Sequence, residues 1–256
     1  MSGIEKQLRE IDKLNTLQQR DQWMCLMHPL VKLCLTIVYI IFVVSCHKYN
    51  LSTVVFFAVY PFMMFNFADL SLKDAIYRMR LILPIVLAVG IFNPIMDREV
   101  VMHLGNVAVS GGVVSMITLM LKGFYAVLSA YLLIATTTIE DICYALRRLH
   151  MPKILVTVIL LIDRYIYILG QEAERIMTAY KLRAPSQKGI HYKAWGPLVG
   201  QWLIRSMERA QVVYESMTLR GYRGEYDYGK KRKLSAKDIL FFTVWLVAFV
   251  VIRRGF

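Results

Sequence analysis

Long apolar runs constrain this chain more than anything else in it, because a helix needs about 20 apolar residues to cross a hydrocarbon layer about 30 Å thick. Leu30 to Cys46, Leu51 to Phe67, Leu81 to Met96, Val113 to Thr136 and Ile239 to Ile252 are five such runs, separated by polar connections. In lipid each backbone N–H and C=O must be satisfied within its own segment, so each run is expected to be helical. The composition agrees: 57% of the 256 residues are hydrophobic and 19% charged, whereas soluble domains average roughly 45–50% and 25%. The sequence therefore reads as an all-α integral membrane protein with about five transmembrane helices and a cytoplasmic helical domain inserted before the last span. The expected boundaries are an amphipathic leader at 1–28, a four-span bundle at 29–136, cytoplasmic helices at 137–235 and a final span at 236–256.

Within the bundle, His28-Pro29 is placed to start a helix, since proline suits the first helical turn. Lys32 lies near enough to the end of its span to snorkel. His47 to Asn50 is long enough only for a turn, so the first two spans form an antiparallel hairpin. Pro61 predicts a kink or local break in the second. The third run is short and contains Pro84, Gly90 and Asn93-Pro94, which fits either a span or a re-entrant segment. Residues 97–112 read as a loop on the outer side. Lys122, deep in the fourth span, is expected to face the bundle interior or to snorkel.

The net charge is +13, and the basic residues gather between and beside the spans. That distribution fits membrane lipid headgroups and cytoplasmic loops rather than nucleic acid. Placing the N-terminus inside puts the basic stretches 69–80 and 138–237 on the cytoplasmic side, and Arg253-Arg254 outside. A sixth span within 154–170 would bring the C-terminus back inside, but would carry Asp163-Arg164 into the bilayer. Cys25, Cys34, Cys46 and Cys143 have no paired spacing, so neither a disulfide framework nor a zinc site is expected, and Cys25 with His28 or Cys46-His47 carry no second ligand pair. The chain contains no phosphate-binding Gly-x-x-x-x-Gly-Lys loop, no His-Glu-x-x-His and no Gly-x-Ser-x-Gly, which argues against a membrane-embedded enzyme. A self-sufficient secondary transporter would show repeat-related halves, and none is visible.

The unusual part is 171–224. Leu169, Ala173, Ile176, Tyr180 and Ala184 form one helical stripe that ends at Pro185, and Pro197 is expected to start a second helix. There Leu203, Met207, Ala210, Tyr214 and Met217 repeat the pattern until Gly221, a natural stop. Arg183 and Arg220 thus sit in the last turns of two charged helices, within the triplets Leu182-Arg183-Ala184 and Leu219-Arg220-Gly221. A cation there complements the helix end, and a guanidinium fork can also pair with a carboxylate in a partner's groove.

These triplets, with Leu149-His150-Met151-Pro152, Asp163-Arg164-Tyr165-Ile166, Glu208-Arg209-Ala210 and Met217-Thr218-Leu219-Arg220-Gly221-Tyr222, resemble the transmembrane T component of energy-coupling factor (ECF) importers, the CbiQ family. The resemblance implies a coupling scaffold, not an enzyme. Leu182, Arg183, Ala184, Leu219, Arg220 and Gly221 would dock into two ABC ATPase subunits. Ala173, Ile176, Tyr180, Met207, Ala210, Tyr214 and Met217 would pack the coupling helices on one another and on the spans. It further implies a substrate-binding membrane S component, CbiM-like, as a separate partner. This chain would bind no cofactor or metal, ATP and Mg being held by the partner ATPases, and it would reside in a prokaryotic cytoplasmic membrane. The Arg-Gly-Tyr-x-Gly ending at Gly224 favours a cobalt or nickel system over a vitamin system. Both triplets carry leucine where the family often has alanine, and the first has Ala184 in place of glycine. A rigid stop at Pro185 against a flexible one at Gly221 leads to the expectation that Arg220 docks the more deeply.

Overall fold

The computed structural model describes Gln18 and residues 23–47, 50–79, 84, 88, 90, 100–104, 107–185, 187, 189–224 and 234–255. In chain order its helices are α1 Trp23–Leu26, α2 Pro29–Val44, α3 Leu51–Phe57, α4 Val59–Phe67 and α5 Leu72–Met79. A two-stranded ribbon, β1 Val100–Leu104 and β2 Val107–Ser110, precedes α6 Gly111–Thr136. Then follow α7 Ile139–Arg148, α8 Lys153–Arg183, α9 Tyr192–Leu219 and α10 Ala236–Gly255. The chain divides into two units, residues 17–138 with 232–256 and residues 139–231 with 1–16. The leader expected at 1–28 and the third apolar run lie outside the described residues, apart from Gln18 and residues 23–28, 84, 88 and 90.

The first unit is built around the break that Pro61 imposes. Proline has no N–H to give to the carbonyl four residues back, which is that of Phe57, and the second apolar run divides at Ala58 into α3 and α4. Tyr39 of α2 repairs the loss, its hydroxyl donating to Phe57 O at 3.0 Å. Around this bond Tyr39, Phe57, Tyr60 and Phe249 form a buried aromatic core. Tyr39 and Tyr60 lie 4.5 Å apart between centroids, and Trp245 meets Tyr60 edge-on at 5.0 Å. The helix α10 packs on α2 and α3. It is started by Ser235, whose N–H is accepted by Asp238 Oδ2 at 3.1 Å, half of a capping box.

The outer faces are also apolar. Ile37, Ile41, Val55 and Phe62 are exposed on α2 to α4, and Val244, Val247 and Val251 form an exposed stripe on α10. Helices that are apolar all round belong in lipid, so this unit is a membrane bundle. Among the described residues two helices, α6 and α8, are long and apolar enough to cross a membrane, and shorter apolar helices cover Pro29–Val44 and Leu51–Phe67.

Two lysines join α2 to α6. Lys32, near the start of α2, donates to Thr136 O at the end of α6 at 2.7 Å. Lys122 on α6 donates to Val44 O at 3.3 Å and to Cys46 O, where α2 ends. Each ammonium thus meets the unsatisfied carbonyls at the other helix's C-terminus, where the backbone dipole is negative. Of the two expectations for Lys122, a side chain facing the bundle interior or one that snorkels, the structure shows the first; the expectation for Lys32 is not met. Lys32 does not snorkel but is 5% exposed, because a carbonyl within reach offers the charge a partner inside the bundle.

Two further differences have local causes. The stretch expected to be a plain loop contains the antiparallel β1–β2 ribbon, with Leu104 opposite Val107, so the fold class is all-α with one short ribbon in a connection. The apolar stretch 154–169 and the charged stretch 171–183 are one helix of 31 residues, about 46 Å long. Gly170 lowers helix propensity without interrupting it.

Candidate functional site

The second unit ends its three helices in two well-defined ways. In α7, Leu149 follows the last turn and His150 adopts a left-handed φ of 65°. Its N–H reaches Arg147 O at 3.2 Å, and Met151 N–H reaches Leu146 O at 3.2 Å. This is a Schellman stop, normally made by glycine. The second stop, at the end of α9, has the same form. Gly221 has φ 81°, its N–H bonds Thr218 O at 3.0 Å, and Tyr222 N–H bonds Met217 O at 2.9 Å. The third differs. Arg183 is the last residue of α8, and Ala184 leaves the helix at φ −132°, ψ 64° with its N–H still on Tyr180 O. Pro185 then forbids continuation.

Arg183 and Arg220 are both exposed, and so are their neighbours, Leu182 at 77% and Leu219 at 89%. A cationic fork beside a bare leucine thus stands at each of two helix tips. A Cβ built on Gly221 would meet nothing within 4 Å, so within this chain the glycine serves its positive φ and not a close approach of backbone. Ala184 is half-buried.

The segment between the tips is tied by one side chain. Tyr180 donates to Gln187 Oε1 at 2.8 Å and accepts from His191 N–H at 3.2 Å. His191 in turn caps α9, its Nδ1 accepting from Lys193 N–H at 3.3 Å. The second helix therefore starts at Tyr192, and Pro197, expected to begin it, lies inside. Proline marks a first turn statistically, but a side-chain acceptor, His191, already stood six residues earlier.

The helices α8 and α9 meet where Trp202 Nε1 donates to Leu169 O at 3.1 Å and Arg205 pairs with Glu172. Arg175 also reaches Glu172, at 3.5 Å. From this crossing the N-terminal part of α8 and the C-terminal part of α9 enclose a groove of about 700 Å³, walled by residues such as Leu161, Tyr165, Leu169, Ala210 and Val213. Of the residues expected to pack the two helices together, Ala173, Ala210, Tyr214 and Met217 line this groove. Ile176 and Tyr180 are half-buried elsewhere on α8. Met207 is 65% exposed and no residue of α9 is fully buried, so the α9 stripe is an open face. Of the crossing residues, the sequence reading named Leu169 as part of the α8 stripe but gave no role to Glu172, Trp202 or Arg205. Their signal is a matched spacing of three, Leu169 with Glu172 and Trp202 with Arg205.

Beside the groove-forming helices, α7 packs on α8 and buries Cys143 completely. Burial, with the Asp163 and Glu140 carboxylates, pushes this thiol up to about 11, which keeps it protonated and unreactive. Among the described residues no three His, Cys, Asp or Glu side chains are grouped to hold a metal ion.

Comparison with known proteins places this arrangement. The profile of the CbiQ family, described as cobalt transport protein, matches residues 20–231. This chain belongs to the CbiQ family. The match includes both arginine-tipped helices and all of α2 to α9. An uncharacterized protein of Methanocaldococcus jannaschii is 24% identical over 215 residues, 79% of this chain and 74% of that one. Nickel permease LarQ of Lactiplantibacillus plantarum is 27% identical over 116 residues, 45% of this chain and 42% of that one. A second uncharacterized protein of M. jannaschii is 31% identical over 126 residues, 47% of each; the matches to LarQ and to this protein thus span less than half their lengths. As a CbiQ-family membrane protein, the chain is a member of a transport family.

Proposed function

We propose that this chain is the transmembrane coupling subunit of an ECF-type importer. In this reading each of two ABC ATPase subunits receives one arginine-tipped helix end. Closure of the ATPases on ATP displaces α8 and α9, and that motion passes to a separate membrane S component that holds the substrate. ATP and Mg belong to the ATPases, and the location is the cytoplasmic membrane of a prokaryote. The observation that carries the reading is the pair of exposed tips, Leu182-Arg183 and Leu219-Arg220, presented at the ends of two long helices that touch chiefly at one crossing. An exposed arginine with no salt bridge among the described residues is weakly stabilising as a helix cap, but makes a strong bidentate contact with a carboxylate in another protein. Cobalt or nickel is the proposed cargo, supported by the family's description and by the similarity to a nickel permease. The cargo is substrate, carried by the complex and not resident in this chain.

The test is co-purification with the ATPase subunits, comparing the wild type with Arg183→Glu, Arg220→Glu and the double variant. Each single reversal is expected to weaken assembly at one tip, and the double variant to abolish assembly and transport. Normal assembly and metal uptake by the double variant would overturn the proposal.

A further inference from the structure

The helix α7 is covered on two sides. Cys143 and Ala145 are both fully buried, at 0% exposure, and two residues apart on a helix they point about 200° away from one another. Cys143 turns toward α8, where the Asp163 carboxylate acts on its thiol, and α8 is packed against α7. A single neighbouring helix shields one face only, so a second element lies over Ala145. On that side Ile142 is half-buried, and Ile139 and Leu149 are 39% and 46% exposed, an apolar stripe closed at its centre and open at its ends. The chain supplies an element that fits it. Residues 1–17 lie outside the described residues, and the next, Gln18, is held at the end of α6, its amide donating to Ile134 O at 2.7 Å, five residues before α7 begins. Residues 1–16 nevertheless group with α7, α8 and α9 and not with the bundle that holds Gln18. In them Leu8, Ile11 and Leu14 recur every three residues, as neighbours on one helix face do, and so do Ile139, Ile142 and Ala145 of α7.

We infer that the N-terminal leader docks as an amphipathic helix on the Ala145 face of α7, antiparallel to it, with Leu8 over Ala145 and Ile11 over Ile142. The direction follows from the attachment: Gln18 at the end of α6 sets the leader's C-terminal end beside the start of α7. The reach is sufficient, since the ten residues from Gln18 back to Leu8 cover about 15 Å as a helix and Ala145 lies about 9 Å along α7 from Ile139. Ala145 is the smallest side chain of the stripe, so Leu8 seats where the two backbones approach most closely. The same register brings Lys13 alongside Asp141 in the first turn of α7. Seated there, the leader holds α7 against α8 from the side that α8 does not cover. The inference does not rest on the coupling role: the contact stands whether or not the tips at Arg183 and Arg220 dock into ATPases.

The experiment uses the full chain in a neutral detergent, with its four cysteines replaced by alanine and two thiols introduced as Leu8→Cys and Ala145→Cys. Mild oxidation is expected to close an intrachain disulfide in most molecules, read by intact mass and by loss of both maleimide sites. Lys6→Cys with Ala145→Cys places the first thiol on the opposite face of the leader and should close little. A second arm keeps the native cysteines: Leu8→Glu with Ile11→Glu should raise hydrogen exchange in α7 by about tenfold, as expected when buried leucine-type contacts are lost, and leave α9 unchanged. Equal crosslinking from positions 6 and 8, or unchanged exchange of α7 in the glutamate variant, would each overturn the inference. So would protection of α7 that requires an anionic bilayer, which would assign the leader to the membrane surface, or protection that arises only when a second protein subunit is co-expressed. The exchange arm keeps the test decisive if the thiol variants do not fold.

Discussion

Replacing Tyr39 by phenylalanine removes one oxygen and nothing else from the middle of the aromatic core. The ring that contacts Tyr60 at 4.5 Å and Phe249 at 5.4 Å stays, so packing is conserved. What is lost is the donor to Phe57 O at 3.0 Å, 18 residues along the chain. Leaving a buried carbonyl without a partner costs about 1–3 kcal/mol, and in a lipid-enclosed core water cannot take over. The expected destabilisation is about 2 kcal/mol. The cause assigned to it is Pro61, and that can be tested separately. Pro61→Ala restores an N–H four residues after Phe57, which can complete the helical bond in place of the tyrosine. In the Pro61→Ala background Tyr39→Phe should therefore cost less than about 0.5 kcal/mol, a coupling of about 1.5 kcal/mol between residues in one hydrogen-bond network. Reversible unfolding of the four proteins in mixed detergent, followed by near-ultraviolet circular dichroism, measures the cycle. An unchanged cost of Tyr39→Phe with and without Pro61 would refute the reasoning, since the hydroxyl would then serve something other than the carbonyl the proline frees.

Three other outcomes follow from the same kind of reading. His150→Gly should stabilise the chain by about 1 kcal/mol, because glycine adopts the left-handed stop without the penalty a side chain carries; a loss of stability would mean that the imidazole itself has a structural role. Conversely, Gly221→Ala should cost about 1 kcal/mol at the end of α9 and weaken ATPase assembly, whereas Ala184→Gly should leave assembly unchanged, both read by co-purification. Cys143 should resist maleimide at pH 8 in the folded protein and react once it is unfolded. Because its folded value lies near 11 and an unfolded thiol titrates near 9, the folded state holds the extra proton between those values. Stability should therefore fall as pH rises across that window, and Cys143→Ala should flatten the dependence.

What could be read in the sequence was what local chemistry decides. Pro61 announces a break, Pro185 and Gly221 announce stops, and Arg183 and Arg220 stand next to them whatever the rest of the chain does. What could not be read was who answers each local deficit. Tyr39 reaches Phe57 across a turn, and Lys122 reaches Val44 from 78 residues away, and neither pairing leaves a periodic trace. Lys32 misled for the same reason, since snorkelling is the rule for a lone lysine and the carbonyl of Thr136 is invisible in sequence. Pro197 misled because a His191 cap carries less statistical weight than a proline. The α9 stripe showed the right period but not its use: Met207 and Tyr214 were expected to be covered by a neighbouring helix and are exposed.

The crossing at Glu172 and Arg205 divides α8 into unequal arms, about 28 Å back to Lys153 and about 17 Å forward to Arg183. In α9, which buries no residue, about 21 Å separate the same point from Leu219. In the coupling role proposed above, the two helices would act as scissors pinned by this ion pair and indole hydrogen bond, and the position of the pin would fix the mechanical advantage. A displacement imposed at the Arg183 tip emerges at the opposite end of α8 enlarged about 1.7-fold, in the other direction. Moving the pin by one helical turn, for example by transferring the Glu172 carboxylate to position 168, which shares a recess with Arg209, would change the stroke without touching either tip.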